Sequence, residues 1–251
     1  AYCDLLAQGA VTEGEAVNFC VPTGNFGDIL SAFYAKEMGL PIGRLLCASN
    51  SDNVLTDFIA TGKYDRNRPF YNTVSPSMDI LISSNLERLL YLLSGGDDKL
   101  VAGYMKELSD TGCYQVSGEM LEKIQSVFVG GFSSEEETEA TIGKMMDEHK
   151  YLIDTHTAVA FHVLEQYRKD TGDQTKTVVA STASPFKFCD AVLDALHVTE
   201  KATGTALLDQ LADVSGMPAP QPLATLKDKK VRFTSWTEKE QMRAVVTDFL
   251  K

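Results

Sequence analysis

Residues 17–39 set the strongest limit on what this chain can become. Val17-Asn18-Phe19-Cys20-Val21 is an apolar run of strand length, and Pro22-Thr23-Gly24-Asn25-Phe26-Gly27-Asp28 follows it as a turn. Ile29, Leu30, Phe33, Tyr34 and Met38 then recur at helical spacing, and Gly39 stands where that helix should stop. A strand that feeds a helix through a glycine loop can hold a phosphate. Glycines let the backbone approach closely, loop N–H groups point at the oxyanion, and the helix dipole favours its charge. The same spacing also suits a turn that only packs a helix on a sheet, so the loop by itself leaves both readings open.

Further apolar β-type runs lie at 44–48, 78–82, 127–130, 151–153 and 177–180, with amphipathic stretches of helix length between most of them. This alternation predicts an α/β fold: three layers, αβα, around a largely parallel sheet. Ser133-Ser134-Glu135-Glu136 reads as a capping box, and the acidic run through Glu139 suits a helix start with a solvated face. Gly95-Gly96-Asp97-Asp98 predicts a turn between helices. The stretch with Pro218, Pro220 and Pro222 reads as a linker. It divides the chain into a main body at 1–214, a linker at 215–224 and a tail at 225–251. The tail ends in an amphipathic helix around Met242, Val245, Val246 and Leu250, with nothing in it that suggests chemistry.

Composition narrows the partners. At 251 residues, 44% hydrophobic and 23% charged, the chain can bury a substantial core. A net charge of −12 and the lack of a basic stripe argue against nucleic-acid or anionic-membrane partners. Cys3, Cys20, Cys47, Cys113 and Cys189 are odd in number, scattered, and without metal-ligand spacing. That pattern fits reduced thiols in the cytoplasm and no metal site. No apolar run approaches the ~18 residues of a membrane span, and no signal-peptide pattern is read at the start. A small-molecule ligand and a monomer or homodimer are expected.

Five segments in order resemble threonine synthase in its bacterial and fungal branch. The first is Pro22-Thr23-Gly24-Asn25-Phe26-Gly27-Asp28. The second is Asn53-Val54-Leu55-Thr56-Asp57-Phe58 with Thr61-Gly62-Lys63-Tyr64. The third is Ser75-Pro76-Ser77-Met78-Asp79-Ile80 running into Ser84-Asn85-Leu86-Glu87-Arg88-Leu89-Leu90. The last two are Asp154-Thr155-His156-Thr157-Ala158-Val159-Ala160 and Thr182-Ala183-Ser184-Pro185-Phe186-Lys187-Phe188. The resemblance implies the tryptophan-synthase-β-like fold of fold-type II pyridoxal 5'-phosphate (PLP) enzymes. It also implies conversion of O-phospho-L-homoserine and water to L-threonine and phosphate. Ala1-Tyr2-Cys3-Asp4-Leu5-Leu6-Ala7 reads as the tail of a helix that lies near mid-chain in that family, so an enzyme with its N-terminal half missing is expected. Another fold-type II enzyme, such as a hydroxy-amino-acid dehydratase, and a non-catalytic binding module remain as alternatives.

On this resemblance Thr23, Gly24, Asn25, Phe26 and Gly27 form the cofactor's phosphate cup, and Thr182 meets the ring nitrogen. From the residues alone, Thr182 could equally cap a helix starting at Pro185. Ser184 and Phe186 depart from the more familiar family form, which carries His and Ala there. Asp28 reads as a helix N-cap facing away from the phosphate. His156, expected after a strand and before a helix, lines the cofactor face or aids proton traffic, unless the segment only caps the helix through Thr157. Asn85 and Arg88, one turn apart, suit a substrate carboxylate or phosphate, or else a capped helix with a surface ion pair. The basic stretch 63–68 reads as a solvated loop. No Ser-Phe-Lys-Asp motif bearing the Schiff-base lysine occurs. Lys187, in a superficially similar context, falls inside another family segment and is set aside.

Overall fold

The computed structural model describes residues 1–251. The strands are β1 (Val17–Pro22), β2 (Ile42–Ser49), β3 (Lys63–Asp65), β4 (Cys113–Gln115), β5 (Phe128–Phe132) and β6 (Thr177–Val179). The helices of the N-terminal half are α1 (Tyr2–Ala7), α2 (Gly27–Glu37), α3 (Val54–Thr61), α4 (Leu86–Leu93), α5 (Asp98–Thr111) and α6 (Gly118–Val127). They are followed by α7 (Glu135–His149), α8 (Thr155–Thr171), α9 (Cys189–Ala195), α10 (Ala206–Ser215), α11 (Gln221–Ala224) and α12 (Met242–Phe249).

Four strands make one sheet in the order β5-β2-β1-β6, and every pairing in it is parallel. The central strands are apolar on both faces because both are covered. Successive residues of β1 and β2 point alternately to the two sides. Val21, Leu45 and Cys47 pack with Ile29, Leu30 and Phe33 of α2 and Val54, Leu55 and Phe58 of α3. Cys20, Leu46 and Ala48 pack instead with Val159, Ala160, Val163 and Leu164 of α8. This is the three-layer αβα arrangement. Adjacent glycines in β5 permit both helix layers to close in. A Cβ on Gly130 would stand 2.9 Å from the Thr56 Cα of α3, and one on Gly131 would stand 2.7 Å from Val163 Cγ1 of α8.

A further cluster joins α7, α9 and α10 through Ile142, Val192, Leu193 and Leu211. Ser134 caps α7 with a full capping box to Glu137, and Asp97 caps α5 after the glycine turn.

Several expectations are corrected. Residues 78–82 and 151–153 form no strands: the first leaves a 3-10 turn at Pro76–Met78, and the second is coil leading into α8. The supposed loop at 63–68 instead opens with β3, which pairs antiparallel with β4. Tyr64 and Tyr114 face each other there, with ring centroids 5.3 Å apart and planes 2° from parallel. Residues 221–224, within the stretch expected as a linker, form the short helix α11, and Met242, Val245, Val246 and Phe249 of α12 are exposed together with the following Leu250. No helix is long and apolar enough to cross a membrane.

Candidate functional site

In an open parallel sheet, ligands gather where strands end at their carboxyl edge. Here that edge carries the turn after β1. Thr23 continues the ladder, its N–H bonded to Ala48 O at 2.8 Å, and its hydroxyl turns back to Val21 O at 2.7 Å. Thr23 is therefore a buried buttress, with its hydroxyl already engaged. Beyond it the backbone changes character. The N–H groups of Gly24, Asn25, Phe26, Gly27, Asp28 and Ile29 donate to no protein acceptor, and the ladder resumes with Leu30 N–H to Phe26 O. The last three belong to the first turn of α2, whose early amides always lack an intrahelical partner. Phe26 adopts a left-handed conformation (φ 62°) directly before Gly27 opens the helix. Left-handed then right-handed backbone turns successive N–H groups toward one concave spot, and the helix dipole adds to its positive character. The Phe26 ring is buried against Phe128, centroids 5.4 Å apart, and this packing holds the unusual backbone in place.

A second segment braces this loop from above. A Cβ on Gly24 would lie 2.9 Å from Met78 Cα and 3.1 Å from Met78 O, so only glycine lets the segment 78–80 lie so close. Ser84 donates to Asn25 Oδ1 through both its N–H (2.6 Å) and its hydroxyl (2.7 Å). Asn85 donates from Nδ2 to Asn25 O at 2.8 Å, and Arg88 donates to Asn85 Oδ1. Asn85 and Arg88 thus form a supporting row on the loop itself, and Arg88 takes part in no ion pair. Asp28 is not the N-cap; Phe26 holds that position, and Asp28 is exposed in the first turn.

Thr182 stands at the same edge. Ala180 N–H donates to Cys20 O at 2.9 Å, so residues 181–184 leave the sheet on the strand next to β1, about 4.8 Å away. The Thr182 side chain is exposed and makes no hydrogen bond within the chain. Thr182 caps no helix: Ser184 accepts from Phe186 N–H at 3.3 Å and caps the turn Pro185–Lys187.

His156 is deeply buried and its two nitrogens are occupied. Ser77 N–H donates to Nε2 at 3.3 Å, which leaves the proton on Nδ1 to be donated to Asp154 Oδ1 at 3.0 Å. Its ring also packs on Phe188, centroids 4.8 Å apart. A ring held this way ties the 75–78 segment to α8, and an open place on a cofactor face or a share in proton traffic does not fit it. Asp154, not Thr157, caps α8, accepting from the N–H groups of His156 and Thr157. Burial alone would raise the Asp154 pKa, but the bonds from His156 and Thr157 outweigh it and hold the carboxyl below its ordinary range. Thr157 Oγ1 donates to Asp154 and also lies 3.2 Å from Ser181 Oγ, next to Thr182.

Sequence reasoning missed a clamp of carboxylates on residues 71–74. Tyr71 N–H donates to Asp52, Thr73 N–H to Asp79 and Val74 N–H to Glu135, at 3.2, 2.9 and 2.9 Å. Burial pushes the Asp52 and Glu135 carboxyls up, with the Asp79 charge adding to each and the backbone bonds opposing. The only signal in the chain was the resemblance at 75–79, which said nothing of the partners. Lys187 is exposed over the Phe188 ring and lines a cleft of ≈ 730 Å³ with Thr73, Pro76 and Asp190, a cleft whose walls exclude residues 24–27.

One edge of the parallel sheet thus carries an unpaired run of amides and an unpartnered hydroxyl. The crystal structure of PLP-bound threonine synthase from Brucella melitensis superposes with a TM-score of 0.82 at 35% identity, covering 99% of this chain and 48% of that one. The family described as "Threonine synthase, C-terminal" matches residues 157–246. Threonine synthase of Saccharomyces cerevisiae is 37% identical over 95% of the chain and 48% of its own length. Human "Threonine synthase-like 1" is 42% identical over 87% of the chain and 29% of its own length. By sequence and by fold, the chain is similar to threonine synthases and aligns with their C-terminal part. It spans half or less of the length of these relatives.

Proposed function

We propose that this chain supplies the phosphate cup and ring contact of a PLP enzyme that converts O-phospho-L-homoserine and water to L-threonine and phosphate. The observation that carries the reading is the run of unpaired N–H groups from Gly24 to Ile29 beside the free Thr182 hydroxyl. Free amides at a helix start fit a dianionic phosphate, and a net charge of −12 makes such a local cradle necessary. When bound, PLP supplies an electron sink that stabilises carbanions next to the substrate's amino group. The chain's own residues would do the rest of the holding. Gly24–Gly27 would fix the phosphate, and the Thr182 hydroxyl would meet the ring nitrogen as a neutral partner, leaving it largely unprotonated. Asp154, Thr157 and Ser181 would set the Thr182 loop. We assign residues 1–214 to the catalytic region, 215–224 to a linker and 225–251 to a tail.

The family's proton-moving lysine lies in a motif that this chain does not contain, so no residue here is assigned to that step. A second reading, a PLP-binding protein with a different reaction or none, is favoured by the 42% identity to a relative named only as synthase-like. Both readings are tested with the whole protein. PLP titration should show saturable binding, and O-phospho-L-homoserine should yield phosphate and threonine in equal amounts. Binding without that turnover would select the second reading, and no PLP binding would sink both.

A further inference from the structure

Tyr64 lies on β3, away from the sheet edge, yet its hydroxyl sits at the head of a chain of contacts that ends in the glycine loop. It donates to Leu81 O at 3.0 Å and accepts from Ser83 N–H at 2.7 Å. Two backbone groups just before α4 are thereby fixed by one side-chain atom. The next residue, Ser84, donates twice to Asn25 Oδ1, and Asn85 holds Asn25 O. From the Tyr64 hydroxyl to the cup there is no link longer than 3.0 Å and no gap of more than one residue.

The phenol itself cannot shift. Tyr64 is 1% exposed, stacked on Tyr114 at 5.3 Å and edge-on to Phe58 at 5.8 Å. Tyr104 extends the stack on the far side of Tyr114, at 5.2 Å. Burial pushes the Tyr64 phenol up to about 12, so at neutral pH it stays a hydroxyl that can both donate and accept. For packing alone, phenylalanine would serve at position 64. The hydroxyl's only hydrogen bonds are to the segment that braces Asn25.

We infer that Tyr64 is a positioning residue for the phosphate cup, acting through Ser83, Ser84 and Asn25 without touching the ligand. The inference rests on the reading of residues 24–29 as an anion cradle. Its structural half, that the Tyr64 hydroxyl orders the loop, stands without any ligand.

Both halves are tested by Tyr64→Phe in the full protein, with Tyr104→Phe as the control that alters the same stack but not the relay. Hydrogen exchange without ligand should rise in peptides covering 80–86 and 23–30 for Tyr64→Phe and stay at the parent level for Tyr104→Phe. The Kd for PLP should rise about tenfold in Tyr64→Phe, with kcat at saturating PLP unchanged. Ser84→Ala, exposed and remote from the stack, removes the hydroxyl bond to Asn25 Oδ1 but keeps the backbone N–H bond, so it should move the same two readouts by a smaller factor. Parent-like exchange over 23–30 in a folded Tyr64→Phe overturns the relay. A parent protein that binds no PLP removes the cradle reading, and the exchange arm alone then decides whether Tyr64 orders the loop.

Discussion

Substituting Gly24 with alanine tests the cradle where its geometry is tightest. The new Cβ would stand 2.9 Å from Met78 Cα, 3.1 Å from Met78 O and 3.1 Å from Ile80 Cδ1. The Ile80 methyl can rotate away. The two Met78 backbone atoms cannot, because Met78 closes the turn Pro76–Met78 and its side chain is buried with Cys20, Leu46 and Ala48. Restoring ordinary contact needs a shift of about 0.5 Å between loop and brace. Overpacking of this kind costs ~1–3 kcal/mol. If the strain falls on the bound state, PLP affinity drops roughly 5- to 150-fold. Gly27→Ala is the calibrating variant, since its Cβ meets only the movable Asn85 Nδ2 at 3.3 Å, and about a threefold loss is expected. The assay is calorimetric titration of PLP into the whole protein beside thermal unfolding of each variant. A folded Gly24→Ala with Kd within about twofold of the parent would refute the close-approach argument. So would a larger loss in Gly27→Ala than in Gly24→Ala.

Two further outcomes follow from the protonation chemistry. The Asp154 pKa is held low in the folded protein, so its contribution is present above the unfolded value of about 3.9 and is lost as pH falls through the folded value. Asp154→Asn should therefore lower stability at pH 7 by ~1 kcal/mol or more while flattening the acid limb below about pH 4; equal slopes in urea titrations across that range would contradict the assignment. Among the thiols, burial pushes Cys47 up to about 12 and Cys20 higher still, whereas Cys3 is exposed and Cys113 half-exposed. Brief iodoacetamide treatment at pH 8, mapped by mass spectrometry, should label Cys3 and Cys113 and leave Cys20 and Cys47 unmodified in the folded protein.

The main sheet was legible because β1 and β2 are apolar runs largely buried on both faces, flanked by the half-buried edge runs β5 and β6, and such runs leave little room for another reading. The β3–β4 ribbon was not. Each strand has three residues, and Lys63 and Asp65 flank the one inward side chain of β3, so its charges read as a loop. Residues 78–82 and 151–153 misled for the opposite reason. Both carry buried apolar side chains, but these pack under helices and braces, with no strand alongside to accept their backbone bonds. Within the candidate site, the turn after β1 and the Thr182 segment could be read from spacing and resemblance. The roles of Asn85, Arg88 and His156 could not, because they depend on which atoms already have partners. Asn85 and His156 are each spent on backbone groups from segments distant in sequence.

The pairing of β1 with β6 also fixes when a site can exist. Asn18 lies opposite Thr177, so the two loops meet only after the chain between them has been made and its helices packed. At ribosomal rates of 5–20 residues per second that interval is roughly 10–30 s, during which β1 has β2 on one side and nothing on the other. The glycine loop can form early, being local to β1 and α2, and can attract phosphate before Thr182 arrives. Ligand held by such a half-built edge would favour the docking of β6 by mass action. Cofactor supply would then act on how quickly the last strand of the sheet finds its place, as well as on the finished protein.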